Sequence, residues 1–496
     1  VNAEAVRPDG RGQRGFDLRP VLYIIGALVS VTAIAMLVPM IADVASRNPD
    51  WMVFAAASAL TLFFGVLLML TNRTPEMALN LRQAFLLTAL SWLIIPAFAS
   101  APFMVSQIGL SPADAYFEAM SGLTTTGATV IVGLDSLPPG LLLWRSLLQW
   151  LGGIGIIAMG IAILPFLRVG GMQLFRSESS DRSDKVMPRA GDLAVAVAWV
   201  YLTLTLACLA LLAVAGMSLF DALNHAMTAV ATGGFSTRDA SVGGWQNDWV
   251  EWILVVFMLL GGMPFVRFIS VSRGDPAPLL RDTQVRWYVG FIAVVSMGLA
   301  MWLHGVGDIE LHDAVRLATF NVVSVVTTTG YASADYSLWG PMPVMLFLIL
   351  MTIGGCTGST SGGLKIFRFE ILFMVLRVQV LRLYSPHRII PLRYNNKPVD
   401  ADAMVSVMSF GFVYIALMFI VALILGALGL EFETAFSGAV SAVGNIGPAL
   451  GPIIGPAGTF SPLPEAAKWV LSFTMLLGRL EFFTVLVLFS GAFWKQ

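Results

Sequence analysis

Apolar runs long enough to cross a bilayer alternate in this 496-residue chain with apolar runs of about half that length that stop at a glycine. Ten runs of spanning length can be drawn, over 21–42, 51–70, 81–105, 141–167, 192–216, 249–271, 286–304, 342–376, 402–428 and 466–493. A helix rises 1.5 Å per residue and needs about 20 residues to cross a hydrocarbon core of about 30 Å. Four further runs, over 112–123, 219–230, 313–326 and 432–443, are too short, since twelve helical residues reach only about 18 Å. They read as re-entrant helices that enter and leave the membrane on one side. Hydrophobic residues make up 57% of the chain and charged residues 12%, which excludes an ordinary soluble domain. The expected class is an all-α polytopic membrane protein with ten transmembrane helices.

Ten spans place both termini on one side, and the basic residues choose which. Of the 29 Lys and Arg, 21 fall on the side of the termini, from Arg7 and Arg11 through Arg168–Arg189 and Arg377–Lys397 to Lys495. Five (Arg47, Arg145, Arg238, Arg316 and Lys468) fall on the other, and Lys365, Arg368 and Arg479 lie within runs. The positive-inside rule makes both termini cytoplasmic and opens the four half-length runs to the outer face. Residues 1–20 form a polar tail without the short apolar core and cleavage site of a signal peptide. Cys208 and Cys356 are too few for a disulfide framework, and the four histidines lack metal-ligand spacing.

After two initial spans (21–78), a unit recurs four times: span, half-helix, glycine turn, span. The units cover 79–170, 190–273, 284–378 and 400–496. The turns are Thr124-Thr125-Thr126-Gly127, Ala231-Thr232-Gly233-Gly234, Thr327-Thr328-Thr329-Gly330 and Gly444-Asn445-Ile446-Gly447. A hydroxyl residue stands six before each glycine, at Ser121, Thr228, Ser324 and Ser441. Phe117, Phe320 and Phe436 stand ten or eleven before the glycine, and Asp114, Asp221, Asp313 and Glu433 mark the half-helix starts, where an anion suits the helix dipole.

Non-helical backbone at membrane depth is tolerated only against protein or water, so these turns belong inside a pore. Glycine permits positive φ, which helps aim successive carbonyls one way. Threonine adds a hydroxyl. The half-helices point their negative ends at the membrane centre, which favours a cation there. The turns carry no ring of Asp or Glu, so oxygen dipoles and not full charges would hold the ion. That suits a weakly held monovalent cation such as K+. One such turn is easily a loop between short helices; four in phase are expected to form a pseudo-four-fold selectivity filter.

The stretch from Phe117 to Thr129 (Phe-Glu-Ala-Met-Ser-Gly-Leu-Thr-Thr-Thr-Gly-Ala-Thr), with Ala231–Thr237 and Gly444–Pro448, resembles the Trk/Ktr/HKT superfamily of potassium uptake proteins. The two extra initial spans make the chain most similar to the bacterial TrkH/TrkG branch, over about residues 20–496. The resemblance implies a K+ pathway through four membrane–pore–membrane repeats in the bacterial inner membrane. It also implies a homodimer and a cytosolic TrkA-type nucleotide-binding regulatory subunit. In the superfamily, serine in place of the first filter glycine accompanies Na+ transport, so Gly127 favours K+. Asn445-Ile446 departs from the Thr-rich form and implies coordination there by backbone. K+ is the cargo, no organic cofactor is implied, and membrane lipid but no nucleic acid is a partner.

The eighth run contains Gly354-Gly355-Cys356-Thr357-Gly358-Ser359-Thr360-Ser361-Gly362-Gly363. Each interior glycine costs a helix about 1 kcal/mol against alanine. The run therefore reads as a helix broken in mid-membrane by a flexible loop below the third turn. It is no phosphate loop, because the Lys-Ser/Thr after the second glycine is missing. Lys365 follows the break, and Arg479 lies in Gly478-Arg479-Leu480-Glu481 of the last run. Buried charges in spans usually face a cavity or a partner. Arg479 either pairs with Glu481 or a loop carbonyl for packing, or holds the Gly-rich loop across the pore as a gate, with Lys365 repelling cations. The resemblance implies the second. Pro96, Pro165 and Pro264 read as kinks, and Glu118 as a local field or hydrogen-bonding group. Two rival classes remain: a proton- or sodium-coupled symporter with alternating access, which inverted repeats would favour, and a membrane enzyme, for which the spans offer no convergent catalytic set.

Overall fold

The computed structural model describes residues 17–74, 79–162, 190–307, 309–385, 387, 390–395 and 397–494. Arg7, Arg11, Arg14, Pro165, Arg168–Arg189, Arg388 and Lys495 lie outside the described residues. The chain opens with three long helices, α1 (Arg19–Ala45), α2 (Trp51–Thr71) and α3 (Leu81–Val105). It dips into the half-helix α4 (Pro112–Leu123) and crosses in α5 (Pro139–Ala162). The pattern recurs as α6 (Ala190–Val214), half-helix α7 (Leu219–Val230), and α8 (Asp248–Gly261) with α9 (Phe265–Ser272). It recurs again as α10 (Thr283–Val306), half-helix α11 (Leu311–Val326), and α12 (Pro341–Leu350) with α13 (Ile366–Tyr384). It closes with α14 (Ala401–Ala427), half-helix α15 (Phe432–Gly444), and α16 (Glu465–Arg479) with α17 (Phe483–Phe489). A two-residue antiparallel pair, β1 (Arg393–Tyr394) with β2 (Lys397–Pro398), precedes α14.

Of the ten expected spans, seven are continuous helices of spanning length and apolarity among the described residues. Two are bent pairs: α8 meets α9 at 102° and α16 meets α17 at 105°. The run over 342–376 is divided by residues 351–365. The first bend follows from Gly262-Met263-Pro264, since proline supplies no N–H to continue the helix. The second has no proline; Glu481 and Phe482 adopt positive φ, 56° and 27°. Pro96 sits within α3 without breaking it.

The half-helices are placed inside. Two-thirds of the apolar window of α5 is buried (67%) against 28% for α2, so α5 stands among the half-helices while α2 keeps an open apolar face for lipid. Phe117 and Phe320 are fully buried. Ser111 and Ser218 cap α4 and α7 by accepting the N–H of Asp114 (3.2 Å) and Asp221 (3.0 Å). Each aspartate takes the serine hydroxyl in return, at 3.0 and 2.7 Å. Asp114 also pairs with Lys468 of α16 at 2.5 Å, tying the first half-helix to the last span.

Candidate functional site

All four half-helices end in one hydrogen-bonded motif. The N–H groups of Thr126, Gly233, Thr329 and Ile446 donate to the carbonyls of Ser121, Thr228, Ser324 and Ser441 at 2.9, 2.8, 2.8 and 3.1 Å. The N–H groups of Thr125, Thr232, Thr328 and Asn445 donate to Gly122, Ala229, Val325 and Ala442 at 3.0, 3.0, 3.0 and 3.4 Å. This paired arrangement is a Schellman cap, which requires a left-handed residue just past the helix. Thr125, Thr232, Thr328 and Asn445 supply it, with φ of 52°, 51°, 57° and 54°. Three of the four are β-branched, for which positive φ is costly, and strain of this kind clusters at functional sites. Two residues on, Gly127, Gly234, Gly330 and Gly447 are again positive, at 85°, 75°, 81° and 105°. The sign of φ alternates along each turn, which turns successive carbonyls toward a common side.

The four turns close on one another in cyclic order. A methyl group on Gly127 would lie 2.1 Å from the carbonyl oxygen of Gly233. One on Gly234 would lie 1.8 Å from that of Thr329, one on Gly330 2.0 Å from that of Ile446, and one on Gly447 2.6 Å from that of Thr126. Each glycine thus faces the carbonyl that precedes the next glycine, and the fourth returns to the first. A cavity of about 70 Å³ has all four glycines in its wall, together with Thr129, Arg145, Ser236 and Asp239.

Side chains in the turns are engaged unequally. Thr124 and Thr126 share a hydroxyl contact at 2.8 Å, as do Thr327 and Thr329 at 2.7 Å. The Asn445 amide donates to Thr126 Oγ1 (2.9 Å) and to the Met475 carbonyl (2.8 Å), joining the fourth turn to the first. Thr232 and Thr328 reach the Gly-rich loop. The Thr125 hydroxyl is buried and meets no partner among the described residues. Ala231, Gly444 and Ile446 are fully or almost fully buried with them.

The loop over 354–363 lies against three turns, where the sequence placed it below the third. Its ends are pinned by the bridge between Ile353 and Leu364, with the Gly354 N–H on the Leu364 carbonyl at 2.9 Å. Thr360 donates to the carbonyls of Val230 (3.1 Å) and Gly261 (3.0 Å), and the Thr232 hydroxyl lies 3.1 Å from its own. The Gly362 N–H donates to Thr328 Oγ1 at 2.7 Å, and a methyl group on Gly362 would lie 2.4 Å from the Gly444 carbonyl. Gly355 N–H rests on Ser361 Oγ, Ser359 Oγ donates to the Cys356 carbonyl, Thr357 N–H reaches Gln284, and the Gly358 carbonyl accepts from Phe265. Gly363 takes positive φ, 65°. Arg479 donates to the Thr360 carbonyl at 2.8 Å, and Lys365 donates to the neighbouring carbonyl of Ser361. Glu481 is held by Arg368, so the Arg479–Glu481 pairing entertained from the sequence is replaced by the loop contact.

Two contributors escaped sequence reasoning. Gln149 of α5 donates to the Gly233 carbonyl at 2.6 Å and accepts the Phe235 N–H at 3.0 Å. Arg145, one helical turn away and counted as a loop cation, is 1% exposed and pairs with fully buried Glu118 at 2.7 Å. A charged residue inside an otherwise apolar run was the available signal.

The family model described as TrkH, a cation transport protein, matches residues 50–496. The chain belongs to the TrkH family. It is a membrane transport family, not a family of enzymes. Trk system potassium uptake protein TrkI of Halomonas elongata is 46% identical over 478 residues, covering 96% of this chain and 97% of that protein. TrkH of Escherichia coli K12 is 37% identical, covering 96% and 99%. The crystal structure of the potassium transporter TrkH from Vibrio parahaemolyticus superposes with a TM-score of 0.89 at 32% identity, covering 97% of this chain and all of that one.

Proposed function

We propose that this TrkH-family chain carries K+ inward across a bacterial inner membrane through a channel-like pore whose filter is the ring of four glycine turns. The observation that carries the reading is the cyclic contact of Gly127, Gly234, Gly330 and Gly447 with their neighbours' carbonyls. A ring that closes on itself at this depth leaves an axis lined by backbone oxygen. Oxygen dipoles that replace a hydration shell suit a large monovalent cation. The potassium uptake role of the relatives supports K+ as cargo. Ions would be held by backbone carbonyls of residues 124–126, 231–232, 327–329 and 444–446 and by threonine hydroxyls, while the Gly233 carbonyl, expected from the sequence to be a ligand, is taken by Gln149. Asn445 contributes backbone only: its side-chain N–H2 is engaged by Thr126 and Met475, and its Oδ1 is turned to Gly478 of α16, where a methyl group would lie 2.7 Å away.

The loop over 354–363 is the gate, and the arrangement described is its closed state. Arg479 and Lys365 place two cationic groups on consecutive loop carbonyls beside the ring, where they oppose passage of a cation. The four units over 79–170, 190–273, 284–378 and 400–496 act as membrane–pore–membrane repeats, with both termini cytoplasmic. The relatives' names place them in a Trk system; the homodimer and the TrkA-type regulator are what the superfamily resemblance implies for this chain. The test is cation flux into proteoliposomes holding the purified chain, comparing K+, Rb+, Na+ and Li+ with and without a proton gradient. Flux of K+ and Rb+ well above Na+ and Li+, and independent of the gradient, is expected. Flux that vanishes without the gradient, or that fails to discriminate, contradicts the channel reading.

A further inference from the structure

Behind the ring, the half-helices brace their own turns from a common register. Glu118, His225, Asn321 and Gly438 each stand nine residues before their filter glycine. Glu118 accepts the N–H of Val130 at 2.9 Å and the hydroxyl of Thr129 at 3.0 Å. His225 Nε2 lies 3.1 Å from Ser236 Oγ. Asn321 donates to Ser333 Oγ at 2.9 Å and accepts the Ser333 N–H at 3.3 Å. In each case the brace joins the half-helix to the chain two or three residues past the glycine. The fourth register position is Gly438, and the neighbouring Ser437 accepts the Leu450 N–H at 3.2 Å instead.

The first brace carries a full charge, and its partner reaches the next turn. Arg145 Nε donates to Glu118 Oε1 at 2.7 Å, Nη2 to Thr129 Oγ1 at 3.1 Å, and Nη1 to the Ser236 carbonyl at 2.9 Å. Its guanidinium also lies over the Phe235 ring, 4.1 Å from the centroid. Thr129 is two residues past Gly127, and Ser236 two past Gly234. One planar group therefore spans the first and second turns just beyond the seam where Gly127 faces Gly233. Gln149, a helical turn along α5, grips the same second turn through Gly233 and Phe235. A buried ion pair is an inefficient way to stabilise a fold, because apolar residues of similar volume serve as well or better. What a guanidinium offers here is a rigid fork that fixes three oxygens at once.

We propose that the Glu118–Arg145 pair is a positioning pair for ion selectivity: it sets the spacing of the first and second filter turns at their outer end. The proposal rests on the filter reading above. The pair touches no ion. It acts through the seam, where a shift of a few tenths of an ångström changes how closely oxygens can surround a cation.

The test uses the full chain in proteoliposomes, with K+ and Na+ flux and thermal unfolding read on each preparation. Arg145→Lys keeps the charge and can still pair with Glu118, but a single ammonium cannot hold all three oxygens in one plane. Thr129→Val keeps the volume and removes the hydroxyl shared by both partners. Both variants are expected to fold, with the K+/Na+ flux ratio falling about tenfold in Arg145→Lys, the scale of one lost charge-assisted hydrogen bond, and severalfold in Thr129→Val. Glu118→Gln should act in the same direction; if it does not fold, the other two variants decide. Folded variants that keep the wild-type ratio overturn the proposal, as does failure of all three to fold, which assigns the pair to stability alone. A wild-type protein that passes Na+ as readily as K+ overturns the filter reading instead, and this proposal with it.

Discussion

Replacing Arg479 by methionine removes the guanidinium that holds the Gly-rich loop while keeping an unbranched side chain of similar reach. The lost contact is the charge-assisted bond to the Thr360 carbonyl, 2.8 Å long and buried. Such bonds contribute about 1.5–3 kcal/mol net, so the displaced state of the loop should gain about 10–150-fold in relative population. The sign follows from geometry: the bond exists only while Thr360 lies against Val230 and Gly261, the position assigned to the closed state. Losing a cationic group beside the pathway acts in the same direction. Basal K+ flux of purified Arg479→Met in proteoliposomes, without any regulatory partner, should rise by at least tenfold, up to the ceiling of a fully open pore. Size-exclusion profile and melting temperature of the detergent-solubilised protein report the fold. A folded variant with unchanged or lower flux would refute the assignment of Arg479 to a closing contact.

Thr360→Val removes one hydroxyl proton shared between the Val230 and Gly261 carbonyls and should raise basal flux by about two- to tenfold, at about 0.5–1.5 kcal/mol for one neutral bond, read in the same flux assay. Gly234→Ala places a methyl group 1.8 Å from the Thr329 carbonyl, against backbone that cannot yield without opening the ring. The expected result is lost K+/Na+ discrimination or lost folding, and a folded, fully selective Gly234→Ala would contradict the ring contact. Gly127→Ser, at 2.1 Å from the Gly233 carbonyl, should admit Na+ relative to K+ for the same reason. Lys468→Met leaves Asp114 without its partner from α16 and should lower stability by about 1–3 kcal/mol, measured by thermal unfolding in detergent, with ion selectivity retained.

The half-helices, their glycine ends and the broken eighth run were legible because each leaves a mark in local sequence: length against membrane thickness, a phased hydroxyl, a density of glycine no helix tolerates. The left-handed threonines were not legible, since nothing about a β-branched residue announces positive φ; the Schellman bonds to Ser121, Thr228 and Ser324 impose it. The bend at Glu481 and Phe482 interrupts a run that stays apolar on both sides, so composition reads straight through it. Arg145 looked like a topology residue because its burial depends on Glu118 and Ser236, 27 and 91 residues away. The Gly-rich loop was found, but its span of three turns depends on long-range contacts with the Thr232 hydroxyl, the Thr328 hydroxyl and the Gly444 carbonyl, which no local pattern announces.

The central claim is that the four turns together form the ion site. The most direct test is an experimental structure of the protein prepared in Rb+ or Tl+, with anomalous or heavy-ion density located relative to the turns. Peaks on the axis enclosed by residues 124–127, 231–234, 327–330 and 444–447, replaced or lost on exchange into Li+, are predicted. Ion density bound elsewhere in the membrane region, with none inside the ring, would contradict the account.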